Sequence, residues 1–274
     1  MLSENSVYPR IGLALGGGAA RGLAHVGVLR ALIENDISIA CIAGTSAGSI
    51  VGGAFASGLS IEKIADFGRE LRWRDIGRVT MSKLGVQSNE RLEQYMRARL
   101  PVSRFEQLRI PFAAVATELK TGAAVVMRDV GDVPFAIRAS CAIPGWYMPV
   151  VDPHGRQLVD GGLVAVVPST MTRSLGADIV IAVDVNTEGA TFLGPTSSVI
   201  GVLLQSMMVV QKTASHYQRK MADVVISPKV GHIRWDEMGR VNELMAAGYN
   251  AGLKMIPEIR ALIDSVHDKT QILA

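Results

Sequence analysis

The 274-residue sequence predicts an α/β fold carried by a mainly parallel sheet. Three observations point there. The chain opens as strand, glycine turn, helix, strand, glycine turn, helix, read from "IGLALGGG", "AARGLAHVGVLRALIEND", "ISIACIAG" and "SAGSIVGGAFASG". That order joins parallel strands through right-handed crossovers. A helix and buried strand recur late, in "STMTRSLGADIVIAVDVN". Finally, 28 glycines and an aromatic content of only 5% suit close packing of helices on a sheet.

The remaining elements follow in order. Leu23, Val26, Leu29, Ala31, Leu32 and Ile33 place a helical stripe on the first helix. The second helix ends near Gly58. Residues 60–110 are more polar and mostly helical ("SIEKIADFGRELRW", "SNERLEQYMRARL"), with Ser88 as an N-cap, and read as an inserted part. "IPFAAVATEL" and "AAVVMRDVG" are paired strands, and "VPFAIRASCAIPGWYMPVV" is a helix followed by a loop. Asp152-Pro153-His154-Gly155 turns a hairpin into a strand ending at Asp160. "SVIGVLLQSMMVVQKTASHYQRKMA" is a long helix with an apolar first half, and "DVVISPKV" is a late strand. A final helix is interrupted or kinked near Pro257. No repeat or long linker divides the chain. One domain is expected, with residues 1–10 as a flexible tail, 11–168 as the core and 169–274 as its C-terminal part.

Bulk properties exclude several classes. Hydrophobic residues make up 49% and mean hydropathy is +0.27, so the chain is not disordered. A net charge of +3 with no basic stripe argues against nucleic acid as a partner. Cys41 and Cys141 lie in apolar segments and read as buried free thiols of a reducing compartment. The first ten residues carry no apolar signal core, and no run of about 18 apolar residues exists. The expectation is a cytoplasmic protein, either free or resting on the inner membrane surface.

Three motifs carry chemistry. Gly44-Thr45-Ser46-Ala47-Gly48 sits between a strand and a helix, the arrangement of a nucleophile elbow, with Gly44 and Gly48 as clearance for a serine on a sharp turn. A helix start with Ser46 as a simple cap is the structural alternative. "LGGGAARGLAH" is a glycine turn opening a helix, hence an anion cradle or merely a tight turn. It fails both nucleotide spacings. From Gly16 the dinucleotide pattern meets Arg21 where it needs glycine, and Gly22 is followed by Leu23 and Ala24 where a phosphate loop needs Lys and Ser/Thr. Asp160-Gly161-Gly162 is a common turn signal, but it sets a carboxylate at a strand end. None of the five histidines sits in a convincing position to serve Ser46, so Asp160 could be its base.

Taken together and in order, "GLALGGGAARGLAHVGVLRAL", "IAGTSAG", "AIRASCAIPG" and "LVDGGLVAVVP" resemble the patatin-like phospholipase family, in particular its small bacterial members. The resemblance covers residues 11–168. It implies a three-layer α/β/α fold and a serine–aspartate dyad. Ser46 would be the nucleophile and Asp160 the base. The amides of Gly16, Gly17 and Gly18 would form an oxyanion hole braced by Arg21. Lipid acyl esters would be the substrates, with no cofactor or metal. A lipid- or protein-binding module without turnover is the alternative on the same fold. The family often has an Asn-containing stretch after Asp-Gly-Gly, and here Ala165-Val166-Val167-Pro168 stands instead. The helix of residues 198–222, with Met207 and Met208, reads as a core helix, or as a flap or membrane-contacting face moving on a loop with Gly189, Gly194 and Pro195.

Overall fold

The structure is a computed structural model that describes residues 8–186 and 198–273, with side chains up to residue 268. The expected hinge at Gly189, Gly194 and Pro195 lies outside the described residues, as do residues 1–7 of the expected tail.

The chain runs β1 (Ile11–Leu15), a 3-10 turn (Ala19–Leu23), α1 (Ala24–Glu34), β2 (Cys41–Thr45) and α2 (Ala47–Ala56). Next come α3 (Ile61–Glu70), α4 (Trp73–Ile76), β3 (Arg78–Val79), β4 (Gly85–Ser88) and α5 (Glu90–Arg99). Then follow β5 (Phe112–Glu118), β6 (Ala124–Arg128), α6 (Val133–Ser140), β7 (Gly145–Tyr147), β8 (Val150–Val151) and β9 (Gln157–Asp160). The chain closes with α7 (Ser169–Ser174), β10 (Ile179–Val183), α8 (Val199–Arg219), β11 (Val224–Ile226) and α9 (Val241–Leu273).

The central sheet has the order β11-β10-β1-β2-β5-β9-β8, with β6 also on β5. From β11 to β5 all pairs are parallel, and β6, β9 and β8 join antiparallel. Strand alternation splits the apolar residues between two faces. Leu13, Leu15, Ile42, Ile179, Ile181 and Val183 face the larger core. Ala14, Cys41, Val180 and Ala182 face a smaller cluster with Val166, Val167 and Ala177. Small residues on that second face admit α7 close to the sheet. With helices on both sides, the α/β/α layering is as expected.

Four local expectations are corrected. Residues 78–88, read within a helical stretch, form the β3–β4 hairpin. Its partner is β7, within the segment read as a loop, so a short second sheet β3-β4-β7 exists. Strands this short take their stability from a pairing 60 residues away along the chain, which periodicity cannot register. Ser88 ends β4, and Asn89 is the N-cap of α5. Pro257 does not interrupt α9, which runs 33 residues through it. Cys41 and Cys141 are buried and free, as read. Among the described residues no helix is long and apolar enough to cross a membrane.

Candidate active site

Ser46 stands where β2 becomes α2, with φ 51° and ψ −123°. A left-handed φ is costly for any residue with a Cβ and persists only when its surroundings hold it. Here the Ser46 amide donates to Ser140 Oγ at 2.9 Å, and that hydroxyl donates to Val115 O at 2.6 Å. The Ser46 carbonyl accepts from the Ser49 amide at 2.8 Å and the Ser49 hydroxyl at 2.6 Å. The flanking glycines are there for clearance. A Cβ at Gly44 would stand 2.5 Å from the Gly48 carbonyl oxygen, and one at Gly48 would run into the Leu15 carbonyl at the end of β1. The elbow is therefore packed directly against the neighbouring strand.

Asp160 ends β9, beside β5, and is 3% exposed. Its Oδ1 accepts the Gly162 amide at 2.7 Å. A Cβ at Gly161 would collide with Val115 O, so glycine lets the turn after Asp160 close onto β5. Burial pushes the carboxyl up to about 6, while hydrogen bonding with Ser46 and Gly162 holds it down in part. Ser46 and Asp160 thus stand at the ends of two strands separated in the sheet by β5 and line the same space.

The glycine loop differs from expectation in one respect. The Gly16 amide donates to Val183 O at 3.0 Å and the Gly17 amide to Val166 O at 2.9 Å, so neither is free for an anion. These bonds continue the β1 ladder and tie the loop to the segment after Asp160. That segment, Ala165-Val166-Val167, acts through its backbone: Ala165 O also accepts the Thr45 hydroxyl at 2.6 Å. Of the three glycines, only Gly18 has an amide without a hydrogen bond among the described residues. The amides of Ala19 and of Ala47, next to Ser46, are likewise unengaged. His25 Nε2–H donates to Gly16 O at 2.8 Å and Asn186 Nδ2 to Gly17 O at 2.6 Å. Burial drops the His25 imidazole to about 4, so it stays neutral. Arg21 is fully buried, and its Nε donates to Ile233 O at 2.6 Å. It pins the loop to residues 233–235, which also accept the Ala20 amide at Trp235 O, 2.9 Å away.

Two spaces meet at Ser46. One runs into the helical part between Val51, Phe67, Leu71, Leu92 and Tyr147 and is almost wholly apolar. The other lies between Gly18, Asp160, Met208, Gln211 and Trp235. No histidine lines either space, and among the described residues no group of three or more His, Cys, Asp or Glu could hold a metal.

Sequence reasoning missed Ser140, His25, Asn186 and Trp235. Ser140 lies inside the quoted "AIRASCAIPG" motif, a usable signal. The other three act on backbone atoms or line a space, and no local pattern marks them.

The family model for patatin-like phospholipase matches residues 13–172, more than half the chain. The chain belongs to the patatin-like phospholipase family. An uncharacterized NTE family protein of Mycobacterium bovis is 41% identical over 189 residues, covering 67% of this chain and 51% of that protein. Lysophospholipase NTE1 of Mycosarcoma maydis is 37% identical over 64% of this chain and 10% of its own length. Patatin-like phospholipase domain-containing protein 7 of the mouse is 34% identical over 70% of this chain and 14% of its own. This patatin-like chain therefore spans about half the length of its mycobacterial relative and a small part of the others. The crystal structure of VipD from Legionella pneumophila shares the fold, with TM-score 0.54 and 12% identity over 92% of this chain and 67% of that one.

Proposed function

We propose that this protein hydrolyses carboxylic esters of lipids through an acyl-enzyme, with Ser46 as nucleophile and Asp160 as base. The observation that carries the reading is Ser46 on a left-handed turn, lining one space with the buried Asp160 carboxyl at the mouth of an apolar cavity.

Asp160 at about 6 is ionised at neutral pH yet far more basic than an exposed aspartate. It accepts the Ser46 proton as Oγ attacks the ester carbonyl. The oxygen then carries negative charge and meets the free amides of Gly18 and Ala47, with Ala19 beside them. Each such donor lowers the barrier by roughly 3–4 kcal/mol. Gly16 and Gly17 hold the loop in place instead. Asp160 returns the proton to the departing alkoxide, and the acyl chain stays on Ser46 in the apolar cavity. Water, deprotonated by Asp160, then cleaves the acyl-enzyme and restores both residues.

One acyl chain in one apolar cavity fits a phospholipid or lysophospholipid, the latter being the class named for the Mycosarcoma relative. Labelling with a fluorophosphonate, together with release of fatty acid from lysophosphatidylcholine, tests the reading. Wild type should label and turn over, Ser46→Ala should do neither, and Asp160→Asn should lose turnover by roughly a thousandfold or more. Labelling that survives Ser46→Ala removes the nucleophile. A folded wild type with neither activity leaves a lipid-binding module.

A further inference from the structure

Helix α8 turns two different apolar faces to two different places. Leu204, Met208 and Ser215 are buried, and Met207, Met208 and Gln211 line the space that contains Ser46 and Asp160. On the opposite side Val199, Val202, Leu203, Val209 and Val210 are between 50% and 77% exposed. Their spacing repeats every three to four residues, so they form one stripe along the outside of the helix. A water-facing helix normally carries charge there. Exposed apolar patches of this kind mark a surface that meets something apolar.

The stripe has a neighbour. α8 packs against β7, β7 pairs with β4, and β4 pairs with β3. The loop of that hairpin exposes Met81 completely and Leu84 by 57%, with Val79 at 75% on β3. Two segments far apart in sequence, linked through β7, thus present exposed apolar side chains. Neither contains an acidic residue: residues 199–220 and 78–88 hold no Asp or Glu. They do hold exposed cations, Lys212 and Lys220 on one and Arg78 and Lys83 on the other. Arg219, by contrast, turns inward to Asp184 at 3.4 Å.

We propose that the outer face of α8 and the β3–β4 hairpin form one docking surface for an anionic lipid bilayer, which sets the site against the membrane that holds its substrate. The lipid identity of the substrate rests on the function proposed above. The docking surface itself is marked by exposed apolar side chains and unopposed cations. Apolar side chains enter the acyl boundary while the lysines and arginine meet anionic headgroups, each worth about 1 kcal/mol near such a surface. A second copy of the chain is a poorer occupant, because an isologous contact brings the same cations onto one another.

Full-length Ser46→Ala protein, sedimented with phosphatidylcholine–phosphatidylglycerol vesicles and with pure phosphatidylcholine, tests this. It should pellet with the mixed vesicles and much less with the neutral ones, and added salt should release it. Leu203→Asp with Val210→Asp should lower partitioning roughly tenfold or more. Lys212→Gln and Lys83→Gln should each lower it about fivefold. Hydrolysis of a water-soluble short-chain ester by the same variants on the wild-type background should be unchanged, which also shows that they fold. Aspartate variants that pellet like the parent overturn the proposal. So does a protein that ignores vesicles but forms a dimer lost in those variants, since the face then belongs to a second copy. If the short-chain ester is never hydrolysed while vesicle binding behaves as described, the docking surface stands and the catalytic reading falls.

Discussion

Asp160→Asn separates the cost of the site from its use. An aspartate in water ionises at 3.8, and the buried Asp160 at about 6. A carboxyl whose folded-state value is raised favours folding most while protonated. Its contribution is complete below 3.8, declines as pH rises through the window to about 6, and is gone above it. At about 1.4 kcal/mol per pH unit, the ionised Asp160 costs the folded protein about 3 kcal/mol at neutral pH. Asparagine has nearly the same shape and can still accept the Gly162 amide, but carries no charge to desolvate. The variant should therefore be more stable than wild type above pH 6, by roughly 2–3 kcal/mol or about 5 °C in Tm. The gap should close toward pH 4. Denaturant unfolding of both proteins from pH 4 to 8 measures this directly, and subtracting the two curves removes every other titrating group. Activity should move the other way, with kcat/KM of the wild type falling as pH drops through about 6. An asparagine variant less stable than wild type at pH 8, or a difference that does not change with pH, refutes the account of Asp160 as a desolvated base.

His25 titrates in the opposite sense. Its folded value of about 4 lies below the ordinary 6.5, so stability present above 6.5 is lost as pH falls toward 4, by about 3 kcal/mol. His25→Gln, which keeps a donor for Gly16 O, should flatten that part of the stability–pH curve, and an unchanged slope speaks against it. Trp235 buries its indole N–H at the site with no acceptor among the described residues. Trp235→Phe keeps the ring and should lower kcat/KM about fivefold with little change in Tm; unchanged kinetics mean the N–H does not meet substrate. Gly48→Ala should cost roughly 3 kcal/mol, because its Cβ runs into β1. Gly122→Ala, at φ 71° in open space, should cost about 1 kcal/mol in the same unfolding assay. Equal losses at the two glycines contradict the clearance argument.

What could be read from the sequence divides by distance along the chain. The opening β–α–β–α order was legible because each unit is local: a strand's apolar run, a glycine turn and a helical stripe all fall within about 45 residues. The elbow was legible for the same reason, since Gly44 and Gly48 answer to atoms of α2 and the adjoining strand. The β3–β4–β7 sheet was not. Its strands are two to four residues long, and one partner lies on the far side of β5 and α6. Pro257 misled in the other direction, because tertiary packing of α9 on α1 overrides a local helix breaker.

The glycine loop proposed as the oxyanion cradle shows why a motif locates a site before it assigns its atoms. Three consecutive glycines look like three free amides. Whether an amide is free depends on what lies opposite it, and here the carbonyls opposite come from β10 and from the stretch after Asp160. Gly16 extends the parallel pairing of β1 with β10 by one residue, and Gly17 reaches Val166. Only past that point does the loop leave the ladder, and there Gly18 and Ala19, whose amides are unengaged among the described residues, line the space beside Ser46. The same Val166 belongs to the segment where an asparagine-containing stretch is common in the family. Its side chain is buried in the cluster that also holds Ala14 and Val180, and its carbonyl accepts the Gly17 amide. A backbone carbonyl is offered whatever the side chain, so Val166 O holds Gly17 without an asparagine in this segment. The motif and its apparent exception are reconciled by one hydrogen bond, from Gly17 to Val166.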